Sequence, residues 1–150
     1  MDVSELINHK LIDLSLTANN QLETIEALTD LLYQEDKITS KEEFKAGIIE
    51  REEEGTTGFG QKVAIPHCKS DSVKEVSMAV AKLKEGVDWN AVDEDKVKLV
   101  IMLAVPNQAA NTKHIEILST LSTKLMEDEF VEQLLAVKDK EKLIKLLSKD

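Results

Sequence analysis

Little in this chain can be cross-linked, kinked or stacked. Its 150 residues include one cysteine, two prolines, five glycines and 3% aromatic residues. A single thiol closes no internal disulfide, which fits a reducing cytosol. No apolar run approaches the ~20 residues of a membrane span, so direct membrane insertion is not expected. The start, Met1-Asp2-Val3-Ser4-Glu5, lacks the basic head and apolar middle of a secretory signal. Positive charge is scarce as well. Nineteen Lys and Arg face 29 Asp and Glu, a net charge of −10, which argues against a nucleic-acid backbone as partner. What is present, 42% hydrophobic and 32% charged residues, is the composition of an ordinary globular protein. The expectation is a cytoplasmic, acidic chain whose residues 1–150 form one domain with a proper core.

The hydrophobic pattern gives an element order. Leu11 to Leu16 is short and β-compatible. Asn19-Asn20 can cap a helix through Leu22, Ile25, Leu28, Leu31 and Leu32. Ser40 with Glu43 reads as a capping box for a second helix, with Phe44 and Ile48 facing inward, Arg51 near the end and Gly55 as its stop. Thr56 to Gly60 reads as a turn-rich loop, Lys62 to Ile65 as a strand, and Ser70-Asp71-Ser72 as a turn. Val76 to Val80 begins another strand, and Gly86 to Asp95 a loop. The nearly unbroken apolar run Val97 to Val105 suits a strand covered on both faces, ended by Pro106. Asn111 or Thr112 can cap a helix bearing His114, Ile117, Leu118, Leu121 and Leu125, and two shorter helices follow around Leu134 and Leu143. The expected fold is α/β, three layers α/β/α, with a small mixed sheet flanked by helices on both faces and the order β-α-α-β-β-β-α-α-α.

Within "GTTGFGQKVAIPHCKS", residues 55–70, constrained and apolar residues deliver His67 to one spot. Pro66 fixes φ and donates no hydrogen bond, so it interrupts the strand before His67. The end of a central strand is where open α/β sheets place ligands. A neutral imidazole, reference pKa ~6.5, attacks phosphorus without a separate base while its other nitrogen donates to a fixed acceptor. Phosphoryl transfer otherwise asks for positioning and for donors around three oxygens. Arg51, the loop amides of Thr56, Thr57, Gly58, Phe59 and Gly60, and His114 near a helix start are the candidates. A packed structural histidine is the competing reading for His67 and His114, and His9 reads as a surface residue.

Sharper motifs fail. Cys68-Lys69-Ser70 lacks the glycines of a P-loop, and Gly58-Phe59-Gly60 has Val63 where a dinucleotide fingerprint needs its third glycine. Cys68 and His67 are neighbours on an extended chain, so they point to opposite faces. The histidines show no zinc-ligand spacing, and neither metal nor cofactor is expected.

Taken together, Gly55-Thr56-Thr57-Gly58 leading to Ala64-Ile65-Pro66-His67, then Trp89, Val105-Pro106 and His114-Ile115-Glu116-Ile117-Leu118, resemble the IIA domain of the bacterial phosphoenolpyruvate-dependent sugar phosphotransferase system, fructose/mannitol class. The resemblance runs over essentially the whole chain. It implies a phosphocarrier in which His67, through Nε2, accepts a phosphoryl group from the carrier HPr. The group then passes to a cysteine of a IIB domain, for sugar uptake through the membrane permease IIC. It also implies that Arg51 and His114 support the phosphoryl group. Cys-Lys-Ser after the histidine leans to the fructose branch, and no IIB or IIC sequence is present. A regulatory IIA, nitrogen-related or part of a transcription regulator, is the alternative that the same pattern admits.

Overall fold

The computed structural model describes residues 3–107 and 113–148. Its elements are β1 (Ile12–Leu16), α1 (Gln21–Gln34), α2 (Lys41–Glu54), β2 (Gly58–Gly60), β3 (Val63–Ala64), β4 (His67–Ser70), β5 (Ser77–Val87), β6 (Val97–Pro106), α3 (Lys113–Leu125), α4 (Asp128–Ala136) and α5 (Lys140–Ser148). A single 3-10 turn, His9–Leu11, leads into β1. The caps form where side-chain acceptors precede apolar periodicity. Asn20 accepts from the Glu23 amide at α1, and Ser40 accepts from the Glu43 amide at α2. The expected α3 caps, Asn111 and Thr112, lie outside the described residues.

The sheet is mixed, six-stranded and ordered β1-β5-β6-β3-β2, with β4 also on β6. β6 is its spine, antiparallel to β5 on one side and parallel to both β3 and β4 on the other. It can carry this role because its middle is apolar throughout: Leu99, Val100, Ile101, Met102, Leu103, Ala104 and Val105 are all buried. So are Met78, Ala79, Val80 and Ala81 on β5. Residues of both parities can be buried only if both faces are covered, so the helices flank the sheet on two sides. α1 and α2 pack together and against β5 and β4, whereas α3, α4 and α5 form a second group.

Pro66 breaks a strand without shifting its register. Val63 and Ala64 sit opposite Leu99 and Val100, and His67 and Cys68 opposite Leu103 and Ala104, so the offset to β6 is the same before and after the proline. The Pro66 carbonyl still accepts from the Leu103 amide at 3.0 Å. His67 therefore opens β4 rather than ending a strand, which corrects the expected placement. The loop expected over Thr56 to Gly60 is also partly strand, because Gly58–Gly60 pairs antiparallel with β3. β5 runs on to Val87, and Pro106 stays inside β6 opposite Ser70. Parallel pairing with a four-residue edge strand tolerates the missing donor.

Two glycines mark close approaches. Gly47 of α2 lies over β4, where an added Cβ would sit 3.1 Å from Cys68 Sγ. At Gly58 an added Cβ would come within 2.7 Å of Ala91 Cα and 2.8 Å of Ala91 Cβ, because the segment after β5 crosses directly over β2. Backbone cannot yield as a flexible side-chain tip can. Gly58→Ala should therefore destabilise the fold by about 1–3 kcal/mol, read as a lower denaturation midpoint at unchanged slope. Wild-type stability in that variant would contradict the close crossing.

Candidate functional site

His67 is half-buried at the start of β4. Its Nδ1 lies 2.9 Å from the Ile65 carbonyl oxygen. A carbonyl only accepts, so Nδ1 carries the proton and Nε2 keeps its lone pair. The path of the chain through Ile65-Pro66 is what brings that carbonyl back to the ring two residues later. Nε2 is thus the ring nitrogen with a free lone pair, by hydrogen-bond accounting alone.

The ring borders an open hollow of about 270 Å³, lined by Arg51, Thr56, Thr57, Gly58, Phe59, Ile65, His67 and Val92. Most of the residues singled out in the sequence converge there. Gly60 does not line it. Its backbone turns, at φ 114°, toward Asp93, whose carboxylate accepts from the Gln61 amide at 2.9 Å. His114 is not among the lining residues either, but it is an electrostatic neighbour of His67. Its pKa is held below the ordinary histidine value, first by burial and then by Lys69 and His67. Its Nδ1 is buried with no hydrogen-bond partner among the described residues.

Arg51 sits in the last turn of α2, and its Nη1 donates to the Gly55 carbonyl at 2.9 Å. Among the described residues this is its one hydrogen bond, so the rest of the guanidinium fork can meet an anion. The loop amides differ from expectation. The Thr57 N–H donates to Glu52 Oε2 at 3.2 Å, and the Gly58 N–H donates to Thr56 Oγ1 at 3.0 Å. The first bond ties the loop to α2 and the second stays inside the loop, so in this structure neither N–H is left as a free donor. Arg51 and His67 are the guanidinium and imidazole side chains on the wall of the hollow.

What holds that loop was missed in the sequence. Glu52 Oε1 accepts from the Thr57 hydroxyl and, at 3.3 Å, from Trp89 Nε1. Trp89 Nε1 also donates to Thr57 Oγ1 at 3.1 Å, and Thr56 Oγ1 donates to the Trp89 carbonyl at 2.9 Å. Trp89 is 2% exposed. Glu52 stands in the acidic run Glu50-Arg51-Glu52-Glu53-Glu54, which reads as a solvated helix end. Only the distant tryptophan, whose buried N–H must find an acceptor, hints at the pairing.

The remaining candidates separate cleanly. Cys68 points away from His67 toward α2, with Sγ 3.9 Å from the Phe44 carbonyl. Burial pushes its thiol up to about 12, so it offers no thiolate. His9 is exposed, with Nε2 2.9 Å from Glu141 Oε2. A larger hollow of about 450 Å³ lies behind the loop against Trp89, Leu22 and Ile49, with carboxylates Glu52 and Glu53 on its wall and no histidine, the wrong charge for a phosphoryl group. Among the described residues no helix is long and apolar enough to cross a membrane.

Comparison with known proteins agrees with this geometry. The model of the family described as Phosphoenolpyruvate-dependent sugar phosphotransferase system, EIIA 2, matches residues 5–150. The fructose-specific EIIA component of Haloferax volcanii is 35% identical over 140 residues, covering 93% of this chain and 90% of that one. The fructose-specific EIIABC component of Bacillus subtilis is 32% identical over 148 residues, but these are 99% of this chain and 23% of the relative, so the chain spans about a quarter of that longer protein. Among solved structures, the nitrogen regulatory protein IIA-Ntr of Neisseria meningitidis superposes with a TM-score of 0.90 at 30% identity, over 97% of this chain and 98% of that one. One family model over nearly the whole length, and a relative of similar extent, establish that the chain belongs to the EIIA 2 family of the phosphoenolpyruvate-dependent sugar phosphotransferase system.

Proposed function

We propose that the chain is a phosphocarrier with His67 as its phosphoacceptor, taking the group from phospho-HPr and giving it to a cysteine of a IIB domain, in the cytoplasm and ahead of a IIC permease. The observation that carries this is the Ile65 carbonyl on His67 Nδ1. It leaves Nε2 as the free nucleophile at the mouth of a hollow with a guanidinium on its wall. Attack forms the Nε2–P bond as the donor's N–P bond breaks. The Nδ1 proton stays with the ring, which becomes a phosphoimidazolium whose positive charge the Ile65 carbonyl favours. A protonated ring is a good leaving group, so the group moves onward when the IIB thiolate attacks phosphorus and the pair of electrons returns to Nε2.

Arg51 supplies charge-assisted donors to the equatorial oxygens, and His114 supplies an N–H while neutral. Partners must reach Nε2 and leave again, which calls for a modest apolar patch rather than a deep groove. Val92, 77% exposed on the rim, and Ile115, 55% exposed beside His114, supply it together with half-buried Phe59. The names of the Haloferax and Bacillus relatives support fructose or a similar sugar as the cargo of the coupled system. The closeness to a nitrogen regulatory IIA supports a second reading, in which phosphorylation of the same histidine is a signal and no IIB domain is served. Transfer from the phosphorylated chain to a panel of IIB domains separates the two.

Incubation with phosphoenolpyruvate, enzyme I and HPr should place one acid-labile phosphate on residue 67 and none on His67→Ala. Label retained by that variant would remove His67 as the acceptor. His114→Ala should still be labelled but pass the group on about ten-fold more slowly, the worth of one hydrogen bond to a charged group. Wild-type rates in both directions would return His114 to packing.

The same histidine gives a pH signature. Its folded pKa lies below the ordinary 6.5, so between the two values the unfolded chain binds more protons than the folded one. Stability should then rise with pH across that window and level off above about 6.5. His114→Gln should flatten the slope in chemical denaturation at a series of pH values. An unchanged slope would assign it to other groups.

A further inference from the structure

The hydrogen bonds around the loop form one continuous line from a carboxylate to the imidazole. Glu52 takes both the hydroxyl and the N–H of Thr57, one on each carboxylate oxygen. The Thr57 carbonyl accepts from the Ile65 N–H at 3.0 Å. The Ile65 carbonyl accepts from His67 Nδ1–H at 2.9 Å. We propose that Glu52 is a positioning residue for His67, acting through Thr57 and the Ile65 backbone to hold the carbonyl that sets the ring's tautomer and aim. This rests on His67 being the phosphoacceptor.

Three features make the carboxylate the anchor of that line. Every group facing it is a donor: the Thr57 hydroxyl, the Thr57 amide and the Trp89 indole N–H. Only an ionised carboxylate accepts on both oxygens, so neither an amide nor a protonated acid satisfies the set. Next, Thr57 is 5% exposed, so its polar groups have little water to turn to if the carboxylate is lost. Finally, Glu52 follows Arg51 on α2, and the two grip the same loop from adjoining positions, Arg51 at the Gly55 carbonyl and Glu52 at Thr57. A loop held at both points fixes the carbonyl of Thr57 and, through it, the path of Ile65-Pro66. Pro66 has no N–H, so the backbone at that step has no donor of its own to β6. The acceptor for His67 is therefore held between two bonds, the Ile65 N–H on Thr57 on one side and the Pro66 carbonyl on Leu103 on the other.

The test reads the ring directly. In the wild-type protein, measured at a pH where the ring is uncharged, imidazole nitrogen chemical shifts should report the His67 proton on Nδ1. In Glu52→Gln the amide group turns a donor toward donors, and His67 should become a mixture of both tautomers. Phosphoryl acceptance from phospho-HPr should slow about ten-fold or more, as expected when a nucleophile loses its alignment. Far-ultraviolet circular dichroism and a cooperative denaturation curve report whether the variant is folded. A folded variant with a wild-type imidazole signal, or with a wild-type rate, overturns the proposal. If Glu52→Gln does not fold, Thr57→Val reads the same line one step on, and Thr57→Ser should restore the Nδ1–H tautomer by returning the hydroxyl. Failure of wild-type His67 to take phosphate would instead overturn the phosphocarrier reading, while the tautomer measurement would still decide whether Glu52 orients the ring.

Discussion

The parallel register along one side of β6 is the constraint on which the rest of the molecule depends. A strand that stopped at Ala64 would leave the chain free to wander and would not bring His67 back beside the Ile65 carbonyl. Pro66 interrupts the ladder while the pairing on both sides keeps one offset to β6. The break therefore costs little alignment, and the Ile65 carbonyl, on the side of the strand away from β6, is taken by the His67 ring. Local backbone chemistry is converted there into the protonation state of a side chain. Burial of β6 on both faces makes this dependable, because slipping the register by one residue would exchange the sets of side chains turned toward the two helical layers.

Around that spine the site is assembled from elements far apart in sequence. α2 contributes Arg51, β2 and its preceding turn contribute Thr56 to Phe59, and the segment after β5 contributes Val92. The Val92 amide donates to the Gly58 carbonyl at 3.1 Å, so the segment that lies across β2 is bonded to it as well as packed on it. The site's charge is sparse by comparison with its scaffold. On the proposed reading, a chain with net charge −10 presents a guanidinium and the His67 ring where the phosphoryl group would sit. That local reversal of sign offsets part of the general repulsion felt by an arriving phosphoryl group.

Helices were the most legible part of the sequence, because capping is local and periodicity is redundant. Asn20 and Ser40 sit where side-chain chemistry and the following apolar spacing agree. The spine strand was equally plain, since no other short element tolerates nine apolar or nearly apolar residues in a row. Short strands were not. Gly58–Gly60 has turn composition and is a strand only because β3 lies beside it. His67–Ser70 is polar and is a strand only because β6 is there to pair with it. The site shows the same divide. His67 announced itself through the proline before it, but Glu52 looked like one solvated acid among several. Its role depends on a tryptophan 37 positions away that no spacing rule connects to it. The amides of Thr57 and Gly58 looked available for the same reason: a sequence shows which donors exist, not which acceptors have already claimed them.

The thiol beside His67 has a further consequence. On the proposed reading, the group that finally relieves this carrier of its phosphate is itself a cysteine. Cys68 is the next residue along the chain from the ring that would carry the phosphate. Strand alternation turns it to the other side of the sheet, and burial against α2 keeps it protonated. The pleat thus works as insulation: it keeps the carrier from discharging into itself and obliges the phosphoryl group to wait for a sulfur that arrives from outside.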